Sequence, residues 1–177
     1  MKVTLEATNK IVRDSLLDKS SFGMTNSINI RLTANFGLDE FVISQVAERH
    51  GYENEPNEKQ IENLKLLCQN ILQPLRDKTQ AAIFINSGFR SFHVNAAVGG
   101  RFNSQHLEGK AADFIVPSMD LVDVFNLIRQ DFQFDQLIFE FEKWIHISWN
   151  GENNRNDVLL SKKVYGKTVY EKVQNLE

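Results

Sequence analysis

His106 and Asp113 stand seven residues apart in the run Ser104-Gln105-His106-Leu107-Glu108-Gly109-Lys110-Ala111-Ala112-Asp113, and His146 follows in Trp144-Ile145-His146-Ile147-Ser148. Two imidazoles and one carboxylate suit a zinc ion that keeps its fourth position for water, as hydrolytic zinc sites do. A closed structural zinc site draws more often on cysteine, and this chain has a single one, Cys68. The residue types therefore point to a zinc hydrolase. His106 and Asp113 are too far apart to share a helical face, where partners sit three or four residues apart. A loop that turns at Gly109 and feeds a strand brings both back to one point. The small Ala111 and Ala112 leave room, and His146 on a neighbouring strand completes the triangle. Alone, His-x6-Asp is a weak pattern, and a histidine between two isoleucines is more often a packed strand residue.

The elements that must position these residues follow from the rest of the pattern. Residues 1 to about 30 are polar and serine-rich and are expected to form an N-terminal arm. Residues 31–177 are expected to form a single domain. A short helix is expected from Leu38 to about His50. Asn54-Glu55-Pro56-Asn57 reads as a turn that starts the next helix. In that helix Ile61, Leu64, Leu67, Cys68, Ile71, Leu72 and Leu75 repeat at helical spacing, and Pro74 bends or ends it. Strands are expected over 82–86 and 112–116, with a glycine-rich loop (Gly99, Gly100) between them. Ser118 reads as the N-cap of a helix over roughly 119–131. A tight hairpin pairs 136–141 with 144–149, and Val158-Leu159-Leu160 reads as an edge strand after the Asn150-Gly151 turn. The fold class is α+β, with helices packed on a small, mainly antiparallel sheet.

Composition narrows the function. An apolar content of 42% with mixed charges describes an ordinary globular chain. A net charge of −3 leaves no basic footprint, so nucleic acid is not the expected partner. No run of 18 apolar residues exists, so no membrane insertion is expected. Met1-Lys2-Val3-Thr4-Leu5-Glu6 lacks the apolar core of a secretory signal, which makes the expected location at synthesis cytoplasmic. Cys68 falls on an apolar helical face and reads as a buried thiol.

The surrounding words are more specific than the spacing. Ser104-x-His106-x-x-Gly109-x-Ala111-x-Asp113, Ser87-Gly88-Phe89-Arg90-Ser91 and Trp144-Ile145-His146-Ile147-Ser148, in this order, resemble the zinc D-alanyl-D-alanine metallopeptidases. That family includes D-Ala-D-Ala carboxypeptidases, dipeptidases and phage endolysin peptidases, and is related to lysostaphin-type peptidases and the hedgehog signalling domain. Phe36-Gly37-Leu38-Asp39-Glu40-Phe41, Asn54-Glu55-Pro56, Asn63-Leu64, Leu72-Gln73-Pro74-Leu75-Arg76, Asn95-Ala96-Ala97-Val98-Gly99-Gly100 and Arg155-Asn156-Asp157-Val158 extend the likeness over roughly residues 32–165.

The resemblance implies one zinc ion on His106, Asp113 and His146. It also implies that Arg90 contacts the substrate carbonyl and stabilises the oxyanion. It points to Glu140 as general base, with Glu142 the second choice. A hairpin turn of only Glu142-Lys143 sets Phe139 opposite His146 and turns Glu140 to the other face. A three-residue loop or a bulge is expected to set Glu140 directly across from His146 on the same face. The family often has glycine where this chain has Glu142. Ser104 is a candidate for the substrate side of the site, although with Gln105 it more readily holds the loop or orients His106. Trp144 is a candidate cleft wall. His93 reads as a loop residue and His50 as a helix-end cation. The implied function is hydrolysis of peptidoglycan stem peptides by a monomeric D,D-carboxypeptidase or endopeptidase, such as a phage endolysin released to the wall or carried in a virion. The alternative is a zinc-bearing binding or virion structural module.

Overall fold

The computed structural model describes residues 30–173, so the expected N-terminal arm, apart from Ile30, lies outside the described residues. The helical half comes first. α1 (Asp39–Val42) and α2 (Gln45–His50) form where one short helix was expected. Ile43 takes an extended backbone between them, and the Ser44 hydroxyl caps α2 by accepting from the Ala47 N–H. α3 (Glu58–Leu67) starts one residue beyond Asn57, whose side chain and that of Gln60 cap each other's backbone N–H groups. The chain then passes through a wider π turn (Cys68–Leu72) into α4 (Gln73–Thr79). The π turn sits directly ahead of Pro74, which has no N–H to continue the ladder. The run therefore neither ends at the proline nor passes it as a regular helix. Leu64, Leu67, Cys68, Ile71, Leu72 and Leu75 are all fully buried. Each such leucine or isoleucine contributes about 1.5–3 kcal/mol of apolar burial.

Among the described residues six strands follow: β1 (Phe84–Ser87), β2 (Ala111–Ile115), β3 (Gln136–Glu140), β4 (Trp144–Ser148), β5 (Asp157–Val164) and β6 (Lys167–Lys172). They form one sheet in the order β1-β2-β4-β3-β5-β6, with only β3 and β5 parallel. The fold is α+β, as the pattern indicates. α5 (Phe92–Ala97) lies between β1 and β2, and α6 (Leu121–Asp131) between β2 and β3. The N-cap of α6 is Asp120, not Ser118, because the Asp120 side chain reaches the Val122 N–H while Met119 closes a turn on Val116. The expected edge strand at 158–160 is longer and is not an edge. β6 covers it, joined by a tight turn in which Tyr165 and Gly166 both take positive φ.

The sheet has two different faces. Ala112, Phe114, Leu137, Phe139, Ile145 and Ile147 point to the helices and share one core with α3 and α6. Phe125 of α6 meets Phe139 edge-on, with ring centroids 5.5 Å apart. The other face carries Asp113, His146, Ile138 and Leu159 in one cross-strand row, and Trp144, Glu140, Ser161 and Tyr170 in the next. Directly paired residues project from the same face of a sheet.

The β3–β4 turn decides which residues share that face. Its loop is Phe141-Glu142-Lys143, closed by the Lys143 N–H on the Glu140 carbonyl at 2.9 Å. Ile138 therefore pairs with His146, and Glu140 with Trp144. Glu140 is thus diagonal to His146 on the same face rather than directly across. The tight turn holds Phe141 at φ 52° and Glu142 at φ 58°, where a side chain costs about 1–2 kcal/mol. Glu142→Gly is expected to stabilise the fold by about 0.5–1 kcal/mol after glycine's entropic cost. A thermal melt that moves down instead would show that the turn is not strained at this residue.

Candidate metal centre and cleft

β2 and β4 bring Asp113 and His146 into register as direct cross-strand partners. His106 arrives from a short 3-10 turn (Gln105–Glu108) ahead of β2. Four ties hold that turn. Ser104 caps it by accepting from the His106 N–H. The Gln60 and Asn63 side chains of α3 donate to the Leu107 and Glu108 carbonyls, both at 2.8 Å. The Arg90 N–H donates to the His106 carbonyl at 3.1 Å. Gly109 ends the turn at φ 70° against α3, where a Cβ would lie 2.4 Å from the Gln60 carbonyl oxygen. Only glycine meets both demands. The loop after β1 is held in turn by Asn54, whose amide donates to the Val42 and Phe89 carbonyls and whose oxygen accepts from the Ser91 N–H.

The three buried side chains converge on one point. Asp113 Oδ1 lies 2.8 Å from His146 Nδ1 and 3.2 Å from His106 Nε2, and those two nitrogens are 3.2 Å apart. Ligands placed tetrahedrally at about 2.0–2.2 Å from zinc lie roughly 3.3–3.6 Å from one another, so the trio has close to the spacing a zinc ion demands. His106 Nδ1 is 2.6 Å from the Gly88 carbonyl, which accepts a hydrogen bond from Nδ1–H and so leaves Nε2 as a lone pair for the metal. Burial lowers the His106 pKa against the pull of Asp113, so the imidazole is in its neutral, ligating form. Burial works against ionisation of Asp113, but its contacts within the cluster outweigh it and hold the carboxyl well below its usual range. The donor set, its spacing and its protonation all fit a resident zinc ion.

Arg90 is bound into this cluster. Its Nη2 pairs with Asp113 Oδ2, and its Nε donates to Ser87 Oγ at 2.8 Å. It therefore neutralises and orients the aspartate, and Arg90 also lines the cleft. The cleft is about 720 Å³ and opens along the polar sheet face. Glu140, Trp144 and Ser104 line it with the three cluster residues. Glu140 is half-buried, and burial, followed by the charge of Asp113, raises its pKa. A raised carboxyl suits a group that accepts and returns a proton. Glu142 is exposed at the hairpin tip and is not among the cleft residues. His93 packs on the Tyr52 ring outside the cleft, and His50 also stacks on that tyrosine.

The sequence matches the profile of the family described as Peptidase M15 over residues 34–148. The chain belongs to the peptidase M15 family. M15 peptidases are zinc-dependent, and the His106, Asp113 and His146 cluster of this M15 chain lies within the matched stretch. No curated protein matches the chain. The match stops at the end of β4, yet Leu159, Lys163, Thr168 and Tyr170 of β5 and β6 also line the cleft of this M15 peptidase. Sequence reasoning missed all four. The available signal was the Tyr165-Gly166 turn between two alternating runs, Lys162-Lys163-Val164 and Lys167-Thr168-Val169-Tyr170.

The Arg155 segment has a structural role at the back of the cleft. Asp135 is fully buried and accepts from the Arg155 N–H and Nε at 3.0 and 2.9 Å, while Arg155 Nη2 reaches its other oxygen at 2.5 Å. Burial opposes the Asp135 charge, but Arg155 prevails and lowers the pKa below 3.8. A depressed carboxyl contributes stability above its unfolded pKa and loses it as pH falls through the folded value. Asp135→Asn is expected to cost about 1–2 kcal/mol at neutral pH, since Arg155 is half exposed. The difference from wild type should close as urea melts are taken below pH 3.8; a gap independent of pH would show that charge plays no part.

Proposed function

We propose that this M15 peptidase hydrolyses peptidoglycan stem peptides, as a D,D-carboxypeptidase or endopeptidase with one zinc ion per chain. The observation that carries the reading is Glu140, half-buried in the cleft on the same sheet face as His146. His106, Asp113 and His146 would hold the zinc. Bound there, zinc supplies a Lewis acid that polarises a carbonyl and makes a water acidic near neutral pH. Glu140 takes the proton of the attacking water and returns it to the leaving amine, for which its raised pKa suits it. Arg90 holds Asp113 through Oδ2 and offers its remaining nitrogen to the oxyanion. Trp144, paired with Glu140 across the hairpin, walls the site beside the base. A lytic role at a bacterial wall, in an enzyme of phage origin, is consistent with this substrate.

The test is digestion of purified peptidoglycan by zinc-loaded protein, with product masses. Release of D-alanine or of cleaved stem peptides is expected, abolished by chelator and by His106→Ala. Glu140→Gln should retain zinc and lower kcat by about 10²–10⁴-fold, while Glu142→Gln should leave it unchanged. Stoichiometric zinc with no product from any wall type would instead mark a zinc-bearing binding module.

A further inference from the structure

The cleft is more cationic than the chain that encloses it. The chain carries a net charge of −3, yet among the described residues Arg90, Arg101, Arg155 and Lys163 line the cleft against only Asp113 and Glu140 of the acids. Two of these cations are committed, Arg90 to Asp113 and Arg155 to Asp135. Arg101 and Lys163 are held in place by neutral groups instead. The Arg101 guanidinium lies over the Tyr170 ring, 5.2 Å from its centroid. Lys163 Nζ donates to Thr168 Oγ1 at 2.8 Å and stands 5.3 Å from the centre of the Phe141 ring. Aromatic faces and a hydroxyl fix a cation without neutralising it. Both side chains are solvent-accessible, so a ligand can reach them.

Their place on the sheet relates them to the reacting centre. Tyr170 and Glu140 both pair with Ser161, one from each side. Lys163 lies two residues beyond Ser161 on β5, so its backbone is one diagonal step from Glu140, about 7–8 Å. An extended peptide advances about 3.3–3.6 Å per residue. A group held by Arg101 and Lys163 thus lies within roughly two residues of a bond presented to Glu140.

We propose that Arg101 and Lys163, seated on Tyr170, Thr168 and Phe141, form a carboxylate subsite that selects peptides with a free carboxylate within about two residues of the scissile bond. The inference rests on the peptidase reading and adds the charge its substrate must carry. It also assigns the β5–β6 hairpin, beyond the family match, to substrate selection.

The probes are acetyl-L-Lys-D-Ala-D-Ala and its C-terminal carboxamide, with binding to the zinc-loaded protein followed by calorimetry. The free acid is expected to bind at least about 10-fold more tightly than the amide, the scale of one charge-assisted contact. Arg101→Gln and Lys163→Met should each remove most of that preference while leaving amide binding unchanged, and the preference should weaken with salt. A variant that fails to melt cooperatively is replaced by Lys163→Gln or Arg101→Met. Equal affinity for acid and amide, binding of neither, or variants that keep the preference would overturn the subsite. The two readings fail separately. Wall digestion without discrimination between acid and amide leaves the peptidase and removes the subsite. Acid-selective binding without hydrolysis of any wall keeps the subsite and removes the peptidase.

Discussion

The carboxylate of Asp113 is the interaction on which the rest of this molecule is organised. One oxygen faces His106 and His146, and the other is paired with Arg90. Burying a carboxylate costs several kcal/mol unless it is neutralised and hydrogen-bonded. Here each partner comes from a different part of the chain: the loop after β1, the turn before β2, and β4. The cluster can therefore form only when all three segments are in place.

The helical half serves that requirement. α3 buries an apolar face in the common core and spends polar side chains at its edge, Gln60 and Asn63, on carbonyls of the His106 turn. Asn54 does the same for the loop that carries Arg90. Gly88 packs so closely on Phe41 of α1 that a Cβ would come within 2.7 Å of its backbone, and its carbonyl then selects the tautomer of His106. The packing of the helices and the protonation of a metal ligand are thus one structural problem. Such outer contacts orient a ligand and set its basicity, which is why segments far from the metal in sequence share the family's pattern.

The proposed reacting end and the proposed carboxylate subsite lie along one cleft. β2, β3 and β4 carry the metal cluster and Glu140, while β5 and β6 continue the same polar face with Leu159, Lys163, Thr168 and Tyr170. The parallel step from β3 to β5 puts Ser161 beside Glu140 and extends the row to Tyr170. A catalytic core can keep its geometry while an added hairpin alters the surface next to it, because the hairpin meets the core along one strand.

Residue types and local spacing raised the metal cluster, and the motifs around them made it specific. His106, Asp113 and His146 are a chemically distinctive donor set, and Gly109 between the first two marks the turn they need. The α3 core face was legible for the same reason: burial on one side of a helix imposes a period that composition alone displays. Other features depended on contacts between distant segments. The split of α1 from α2, the capping of α6 by Asp120 and the π turn ahead of Pro74 are local backbone choices among near-equal alternatives, and packing decides them. Whether Glu140 or Glu142 faces the metal turned on one residue of hairpin register, since a shift of one exchanges the faces of a strand. The sequence by itself determined which atoms could bind zinc. Only the tertiary structure decided that Arg90 is bound to Asp113, that Glu140 shares the metal's face, and that β6 lies beside the cleft, because each depends on strand pairing and loop docking between segments far apart in the chain.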